Sequence, residues 1–369
     1  MEYNTYNEIH QQPSVWLKTY DIILARKKEI KDFTDKYLNE GYSVVFAGAG
    51  TSAYIGDALE CALSNTRFKG CRAIATTDII TRPEIYFDSS SKVLLISFAR
   101  SGNSPESVGA VRAVEQTAGK VAHVFITCNA EGSLARMQKP NALPILLPPE
   151  TNDLSLAMTS SYSSMLLACA LIAEIDKVEA RKPAVEMLAD CVQKTLDKYE
   201  KAIKDIAALG FKRAVFLGSG PLKGVAEESR LKLQELTDGD VMCAFDSFLG
   251  FRHGPKAVVH EDTLIVYLLS PDPDVQRYEL DLIRGIRDKR IYSACVTVCA
   301  KAPAGLPECE LLIETGLPND IPTSYGCVSY VIVAQLLGFF KSLDSGLNPD
   351  SPSVSGNISR VVEGVTLYV

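Results

Sequence analysis

The sequence predicts an α/β protein with two tandem domains, each a three-layer αβα unit with a parallel sheet flanked by helices. Two observations support this: apolar runs of strand length alternate with helical patterns, and one such pattern occurs twice. Strands that are apolar on both faces need helices over both faces, which a parallel sheet provides. The chain has 369 residues, 47% of them hydrophobic and 22% charged, so it is long enough for two such domains.

The first copy contains five apolar runs of strand length, separated by helical patterns. A helical pattern at 16–38 precedes them, and a helix is predicted at 105–116. Two long helical patterns, 159–175 and 182–208, close this unit and lead onward. The predicted strands read YSVVFAG, CRAIAT, KVLLISF, VAHVFIT and ALPILLP.

The pattern then restarts, so we predict a duplicated unit. RAVFLGSGPLKGVAEES follows the order of YSVVFAGAGTSAYIGDALE, and the same 170 residues separate Gly48 from Gly218 and Gly50 from Gly220. The copies differ at one loop, where ARSGNSPES in the first corresponds to LSPDPDVQR in the second. Strands of the second copy are predicted near Val215, Ile265, Ala294 and Leu311.

These patterns divide the chain into three parts. We predict an N-terminal helical segment at 1–40 and a first domain at 41–180. The remainder, 181–369, would hold a linker helix, the second domain and a C-terminal tail.

Charge and composition argue against several kinds of partner. A net charge of -7 leaves no basic stripe for nucleic acid. The N-terminus lacks the basic and apolar segments of an export signal, and the longest apolar run, 330–340, is too short to span a bilayer. We therefore expect a cytoplasmic protein with no nucleic-acid or membrane partner. The ten cysteines lack metal-ligand spacing, so we expect free, mostly buried thiols and no metal.

The first candidate binding loop joins the first predicted strand to a helix. GAGTSAYIGDA satisfies the relaxed fingerprint G-x-G-x-x-G/A, which makes a nicotinamide enzyme an alternative. That fingerprint needs an acidic residue about 20 positions further on. The first candidate at a strand end, Asp78, lies 28 residues after Gly50. Thr51 and Ser52 either cap the helix or donate to an anion at its N-terminus.

The second candidate loop, SFARSGNSPES, also follows a predicted strand. Its residues are Arg100, Ser101, Gly102, Asn103 and Ser104. Ligands of open α/β sheets bind beyond the carboxyl ends of the strands. Together with Ser52, this loop predicts a cradle for a phosphate monoester without the lysine of a nucleotide P-loop. Thr159 and Ser160, at the start of a later helix, would add a third wall.

The second copy carries candidate catalytic groups. AEESRLKLQEL places Glu228, Lys232 and Glu235 on one helical face. A solvated ion pair is the usual explanation for Glu228 with Lys232. Further on, His253 precedes Gly-Pro in a rigid turn that would present an imidazole to a cleft. The other histidines are expected in a tail (His10), a buried strand (His123) and a loop (His260).

At AGAGTSAYIGDA, SFARSGNSPES, EESRLKLQE and FRHGP, the chain resembles the tandem sugar isomerase (SIS) proteins. It is most similar to the AgaS family of tagatose-6-phosphate ketose/aldose isomerases, also described as galactosamine-6-phosphate deaminases. It also resembles the isomerase half of glucosamine-6-phosphate synthase. The resemblance implies two Rossmann-like SIS domains, a phosphorylated amino sugar as substrate and no cofactor. It further implies a homodimer or higher homo-oligomer with shared active sites.

The resemblance also implies a role for each candidate residue. The residues that match the sugar-phosphate loops are Thr51, Ser52, Ser101, Gly102 and Ser104. Glu235 matches the glutamate that moves a proton between C1 and C2 of the sugar. His253 matches the ring-opening histidine, which in relatives can come from the neighbouring subunit. Glu228 and Lys232 match polar partners on the same helix.

The chain departs from the synthase in two respects. It has no amidotransferase domain before the first SIS unit, so we do not expect it to make ammonia from glutamine. In the tail RVVEGVTLYV, Glu363 falls where the synthase has a lysine that forms a Schiff base. Without that amine, direct proton transfer is favoured over a covalent imine.

We therefore expect an enzyme that converts galactosamine 6-phosphate, or a related 2-amino hexose 6-phosphate, to tagatose 6-phosphate, or the related ketose phosphate, and ammonia. His253 would open the sugar ring, and Glu235 would carry the C2 proton to C1 through an enediol or enolamine. Two alternatives remain: an aldose/ketose isomerase without amine loss, and a sugar-phosphate sensor without chemistry.

Overall fold

A computed structural model of the chain describes residues 2–362 and 364–368, so Glu363 lies outside the described residues. The chain divides into two compact units, which we call the first and second modules. The first module contains Ser14–Asp153, Met158–Val185 and the described tail from Ser359. The second contains the described residues before Ser14, together with Leu154–Ala157 and Glu186–Ile358.

The first module is built on a parallel sheet of five strands in the order β2-β1-β3-β4-β5. The strands are β1 (Ser43–Ala47), β2 (Arg72–Ala73), β3 (Lys92–Ala99), β4 (Lys120–Thr127) and β5 (Ala142–Leu146). Helices α1 to α7 lie within the first 173 residues of the chain. They are α1 (Asn4–His10), α2 (Gln12–Ala25), α3 (Lys27–Asn39), α4 (Thr51–Ala62), α5 (Thr76–Thr81), α6 (Pro105–Thr117) and α7 (Ser160–Ala173).

Two predictions for this part of the chain need correction. The helix predicted at 16–38 is two helices, α2 and α3, because Arg26 leaves the helical region at φ -99° and ψ 11°. Its guanidinium donates to the Pro144 carbonyl at 2.8 Å and to Glu29. The predicted strand CRAIAT is only two residues long, since helix α5 already begins at Thr76, the last residue of that run.

The second module repeats this architecture, with a parallel sheet in the order β10-β9-β8-β6-β7. Its strands are β6 (Arg213–Gly218), β7 (Met242–Asp246), β8 (Thr263–Leu268), β9 (Ala294–Cys299) and β10 (Leu311–Glu314). The remaining helices are α8 (Lys182–Ala207), α9 (Pro221–Leu236), α10 (Phe248–Phe251), α11 (Pro273–Arg287), α12 (Thr323–Gly326) and α13 (Val328–Asp344). All four predicted strands are confirmed, whereas the half-buried edge strand β7 was not predicted.

The two modules share one turn conformation after their first strands, which confirms the predicted duplication. Gly50 has φ 53° and ψ -128°, and Gly220 has φ 55° and ψ -125°. A Cβ atom added at Gly48 would lie 2.4 Å from the Ser52 carbonyl oxygen, and one at Gly218 would lie 2.1 Å from the Leu222 oxygen. Glycine is therefore required at both positions of each turn.

The N-terminal helix α1 belongs to the second module, so the expectation that His10 lies in a tail is wrong. Asp350 accepts hydrogen bonds from the amides of Asn4 and Thr5, which fixes the start of α1. Tyr6 packs on Phe339 with ring centroids 5.4 Å apart. These contacts join the start of the chain to residues more than 300 positions later.

The longest apolar helical stretch lies in the core of the second module. Thr323–Asp344, which includes α12 and α13, is 22 residues long, and its most apolar 18-residue window has a mean hydropathy of 1.5. It is thus long enough to span a bilayer, which corrects the expectation from the sequence. However, 94% of its most apolar window is buried, as in the core helix of a globular unit.

Candidate active site

The turn between β1 and α4 presents two nearly buried hydroxyl residues. Gly50 is the N-cap of α4 and provides no side-chain cap, so Thr51 and Ser52 occupy the first two helical positions. This excludes the interpretation of these hydroxyls as N-caps. The Ser52 amide donates to the Ala49 carbonyl at 3.1 Å. The Ser52 amide is therefore used within the turn, and the hydroxyl of Ser52 is the candidate donor to a ligand.

The loop between β3 and α6 folds around its own serines. Ser104 caps α6, since its Oγ accepts from the Ser107 amide and lies 2.7 Å from Ser107 Oγ. Gly102 takes φ 66°, which favours glycine. Ser101 Oγ accepts from the Asn103 amide at 3.3 Å. Because Ser101 Oγ is the acceptor in that bond, its hydroxyl proton can be donated to a ligand.

The segment after β4 holds this loop in place. Asn129 Nδ2 donates to the Ser101 carbonyl at 3.1 Å, and the Ser133 amide donates to Asn103 Oδ1 at 2.8 Å. A Cβ atom at Gly132 would lie 2.4 Å from the Ser101 oxygen. Asn103, predicted to bind substrate, thus uses its side-chain oxygen within the protein. Asn129 and Gly132 were not predicted from the sequence, although N-x-x-G after a strand is a turn signal.

Arg100, the first residue of this loop, is directed towards the C-terminal tail. It is nearly buried, and its guanidinium donates to the main-chain oxygen of Arg360. Arg360 Nε in turn donates to the Asp153 carbonyl at 2.9 Å. Arg100, predicted to bind substrate, thus contacts the tail within the first module.

Thr159 and Ser160, which were predicted to form a third wall of the site, donate hydrogen bonds to Asp153. Both residues are fully buried, and both hydroxyls donate to Asp153 Oδ1. The amides of Thr159 and Ser161 donate to Asp153 Oδ2, each at 2.9 Å. Asp153 thus neutralises the positive N-terminal end of α7. The structure gives no support for substrate contacts by these two hydroxyls.

Helix α9 brings Glu228, Lys232 and Glu235 together, as predicted. Lys232 Nζ lies 3.2 Å from Glu228 Oε1 and also contacts Glu235 Oε1. The side chains of Glu228 and Lys232 are 0% exposed and that of Glu235 is 14% exposed. The interpretation of a solvated pair is therefore wrong, because this is a buried cluster.

Close helix packing explains why the cluster is buried. Helix α13 crosses α9 at Gly338, where an added Cβ atom would lie 3.1 Å from the Lys232 carbonyl. Burial alone would lower the pKa of Lys232, but Glu228 and Glu235 outweigh it and raise that pKa. Lys232 is therefore an ammonium ion that contacts both carboxyl groups, and this contact fixes the position of Glu235.

His253 lies on the turn that follows α10 in the same module. Ser247 caps α10 through the Gly250 amide at 3.0 Å, and the His253 amide donates to the Gly250 carbonyl. Gly254 takes φ 120° before Pro255 begins a 3-10 turn. His253 itself is exposed. The predicted rigid turn is confirmed, and the imidazole is accessible on it.

The other chemically active residue types behave as core or surface groups. His123 is fully buried with Nε2 3.0 Å from Glu115, and burial lowers its pKa despite that carboxylate. His123 is thus a core residue, as predicted. Seven of the ten cysteines are buried, and all are free. Within residues 2–362 and 364–368, no group of three or more His, Cys, Asp or Glu side chains could hold a metal ion.

The candidate residues thus divide between the modules, with the hydroxyl loops in the first and the acid–base cluster in the second. A comparison with family profiles matches the part of the chain that carries the hydroxyl loops. The SIS domain profile matches residues 37–175, which contain both hydroxyl loops. An AgaS protein of Streptomyces coelicolor is 39% identical over 99% of this chain and 95% of its own length.

Two further comparisons cover the full chain. D-galactosamine-6-phosphate deaminase AgaS of Escherichia coli is 35% identical over 99% of this chain and 95% of its own length. The crystal structure of tagatose-6-phosphate ketose/aldose isomerase from Escherichia coli has a TM-score of 0.89 and 32% identity, covering 100% of this chain and 97% of that chain. Identity at this level over the whole length shows that the chain belongs to the AgaS family of SIS-domain proteins.

Proposed function

We propose that this protein converts galactosamine 6-phosphate, or a closely related 2-amino hexose 6-phosphate, to tagatose 6-phosphate or the related ketose phosphate, with release of ammonia. The observation that carries this proposal is the buried cluster of Glu228, Lys232 and Glu235. A protein that only binds a phosphosugar needs no buried ammonium group in contact with two carboxyl groups. The E. coli relative named as a galactosamine-6-phosphate deaminase supports the same substrate.

In this proposal the hydroxyl loops of the first module bind the phosphate group. Thr51, Ser52, Ser101 and Ser104 provide hydroxyl donors at the carboxyl ends of β1 and β3. Binding the phosphate fixes one end of the open sugar, so that its binding energy orients C1 and C2. The net charge of -7 makes such local donors necessary for an anionic substrate.

The chemistry begins with opening of the sugar ring. His253 relays a proton between the C1 hydroxyl and the ring oxygen, which produces an aldehyde at C1. Its exposed position supports the proposal that it serves the site of a neighbouring subunit in a homodimer or higher homo-oligomer. The aldehyde makes the C2 proton acidic enough for a carboxylate to remove.

Glu235 then carries the proton from C2 to C1. Removal of the C2 proton forms an enolamine with its hydroxyl group on C1, and protonation at C1 leaves an imine at C2. Water adds to the imine carbon, and ammonia leaves with the C2–N bond pair, which yields the ketose 6-phosphate. Lys232 contacts Glu235 Oε1 and so fixes the position of the group that carries the proton.

The proposal is tested by incubating the protein with galactosamine 6-phosphate and, in parallel, glucosamine 6-phosphate. We expect equal amounts of ammonia and ketose 6-phosphate from the preferred sugar. Ketose formation from an unaminated aldose phosphate without ammonia release would favour the plain isomerase. Tight binding of phosphosugars without any turnover would favour a sensor.

A Ser101→Ala substitution should weaken binding of the phosphorylated sugar. Loss of one hydroxyl donor to a charged phosphate oxygen should raise KM by roughly tenfold, with little change in kcat. Ser133→Ala, which removes a hydroxyl that bonds to Asn103, is the matched control and should raise KM far less. An equal loss of affinity for an unphosphorylated analogue would contradict the phosphate-binding role.

We further propose that the protein acts in the cytoplasm. The support is that its one long apolar helix among the described residues is used for the core of the second module.

A further inference from the structure

The second module contains the same pair of turns that we propose as the phosphate site of the first. The turn between β6 and α9 has the backbone conformation of the turn between β1 and α4. The loop between β8 and α11 likewise corresponds to the loop between β3 and α6. Pro105 and Pro273 are the first helical residues after these loops, so Ser270 corresponds to Gly102.

A carboxyl group of the protein lies between these two turns in the second module. Glu279, on α11, is fully buried, and its Oε2 accepts from the Ser270 amide at 3.0 Å. The Ser219 side chain, in the turn between β6 and α9, faces the same carboxyl group. Counted from the first helical proline, Glu279 corresponds to Val111 in the first module, a buried apolar residue. The buried carboxyl group is therefore particular to the second module.

The surroundings of Glu279 disfavour an anion from solution. Asp272 is the N-cap of α11, at the position that Ser104 holds in the first module. A neighbouring cavity at the ends of these strands is lined mainly by apolar groups, including Leu222, Pro271 and Leu317. The hydroxyl donors that would attract a phosphate in the first module are thus replaced by an acidic residue and apolar side chains.

We propose that Glu279 is an internal ligand of the second module, whose carboxyl group takes the place between the two turns that a substrate phosphate takes in the first. The comparison with a phosphate rests on the proposed function. The position of the Glu279 carboxyl group between the two turns does not rest on that function, because it follows from the contacts of Glu279 alone. Removal of the Glu279 carboxyl group accordingly opens a space between the two turns that a small carboxylic acid can fill.

The titration of Glu279 gives this proposal a second measurable consequence. Burial raises its pKa to about 7 and Asp272 raises it further, while hydrogen bonds from Ser219 and Ser270 act in the opposite direction. Tyr330, on α13, also faces this carboxyl group. The folded protein therefore holds the Glu279 proton to higher pH than the unfolded chain does. The stability associated with this proton is complete below about pH 4.5 and is lost as pH rises through about 7.

The main test is rescue of Glu279→Ala by a small carboxylate. We would measure the unfolding midpoint of the purified full chain at pH 6 against increasing acetate and, separately, inorganic phosphate, with chloride at equal ionic strength. We expect acetate to raise the midpoint of Glu279→Ala saturably, by on the order of 3 °C, and to leave the wild-type protein unchanged. Val111→Ala, which makes a cavity at the corresponding position of the first module, is the matched control.

Equal stabilisation of Glu279→Ala and Val111→Ala, or no effect of any anion on Glu279→Ala, would overturn the proposal. If Glu279→Ala does not fold, Glu279→Gln decides, since glutamine keeps the size and can still accept from Ser270. Between pH 5 and pH 8 the unfolding midpoint of the wild-type protein should fall, because Glu279 loses its proton. Glu279→Gln has no carboxyl group at this position, so its midpoint should not show this fall. A fall equal to that of the wild type would count against an internal carboxyl ligand. These readouts do not depend on turnover, so failure of the deaminase assay would leave them interpretable.

Discussion

Glu235→Gln should lower kcat for ammonia release by roughly 10³-fold and leave KM within about threefold of the wild-type value. The amide has the size of the carboxyl group but cannot accept the C2 proton. It leaves the hydroxyl loops of the first module unchanged, so binding of the phosphate should persist. The direct measurement is exchange of the C2 proton with deuterated solvent, which we expect to fall with kcat.

The control for this substitution lies on the same helix. Glu227→Gln makes the same chemical change at the residue before Glu228, and kcat should stay within about twofold of wild type. Turnover and proton exchange that survive Glu235→Gln would remove Glu235 from the mechanism. Loss of exchange with retained ammonia release would show that another group abstracts the C2 proton.

Lys232→Met should destabilise the second module by about 3–5 kcal/mol, because it leaves two carboxyl groups buried without a counter-charge. Methionine fills most of the space of the lysine stem, so the loss is electrostatic rather than a packing defect. We would measure the free energy of unfolding in urea at pH 7.5.

Two further variants distinguish burial from ion pairing as such. Lys194→Met removes an i,i+4 partner of Asp190 on helix α8, where the two side chains are 73% and 53% exposed. That substitution should cost no more than about 1 kcal/mol. Glu228→Gln combined with Lys232→Met should recover part of the stability lost in Lys232→Met, because one buried charge is removed. A cost for Lys232→Met as small as that for Lys194→Met would contradict a buried, charged cluster.

The comparison of these two ion pairs shows where the sequence stops being informative. Glu228 with Lys232 and Asp190 with Lys194 have the same spacing on a helix. One pair is fully buried and the other is exposed, because α13 covers α9 at Gly338. The spacing predicts only that the two side chains meet. Whether water reaches them depends on a helix about a hundred residues later in the chain.

The hydroxyl loops show the same difference between what the sequence predicts and what only tertiary packing decides. Their position after apolar strands predicted where a phosphate would bind, since strand ends of a parallel sheet share one edge. The sequence did not reveal that Asp153 accepts hydrogen bonds from Thr159 and Ser160, because an aspartate seven residues before a helix forms no known motif. It also did not place α1 against Asp350, a contact between residues 345 positions apart.

The sequence by itself determined the alternation of strands and helices, the duplication, the two glycine turns and the family motifs. These features depend on neighbouring residues, whose periodicity and turn chemistry act locally. Only the tertiary structure decided that Lys232 is a buried ammonium, that Asp153 fills the start of α7, and that Glu279 lies between the turns of the second module. Burial and charge compensation depend on which distant segments pack together, and a pattern of neighbouring residues carries no record of that packing.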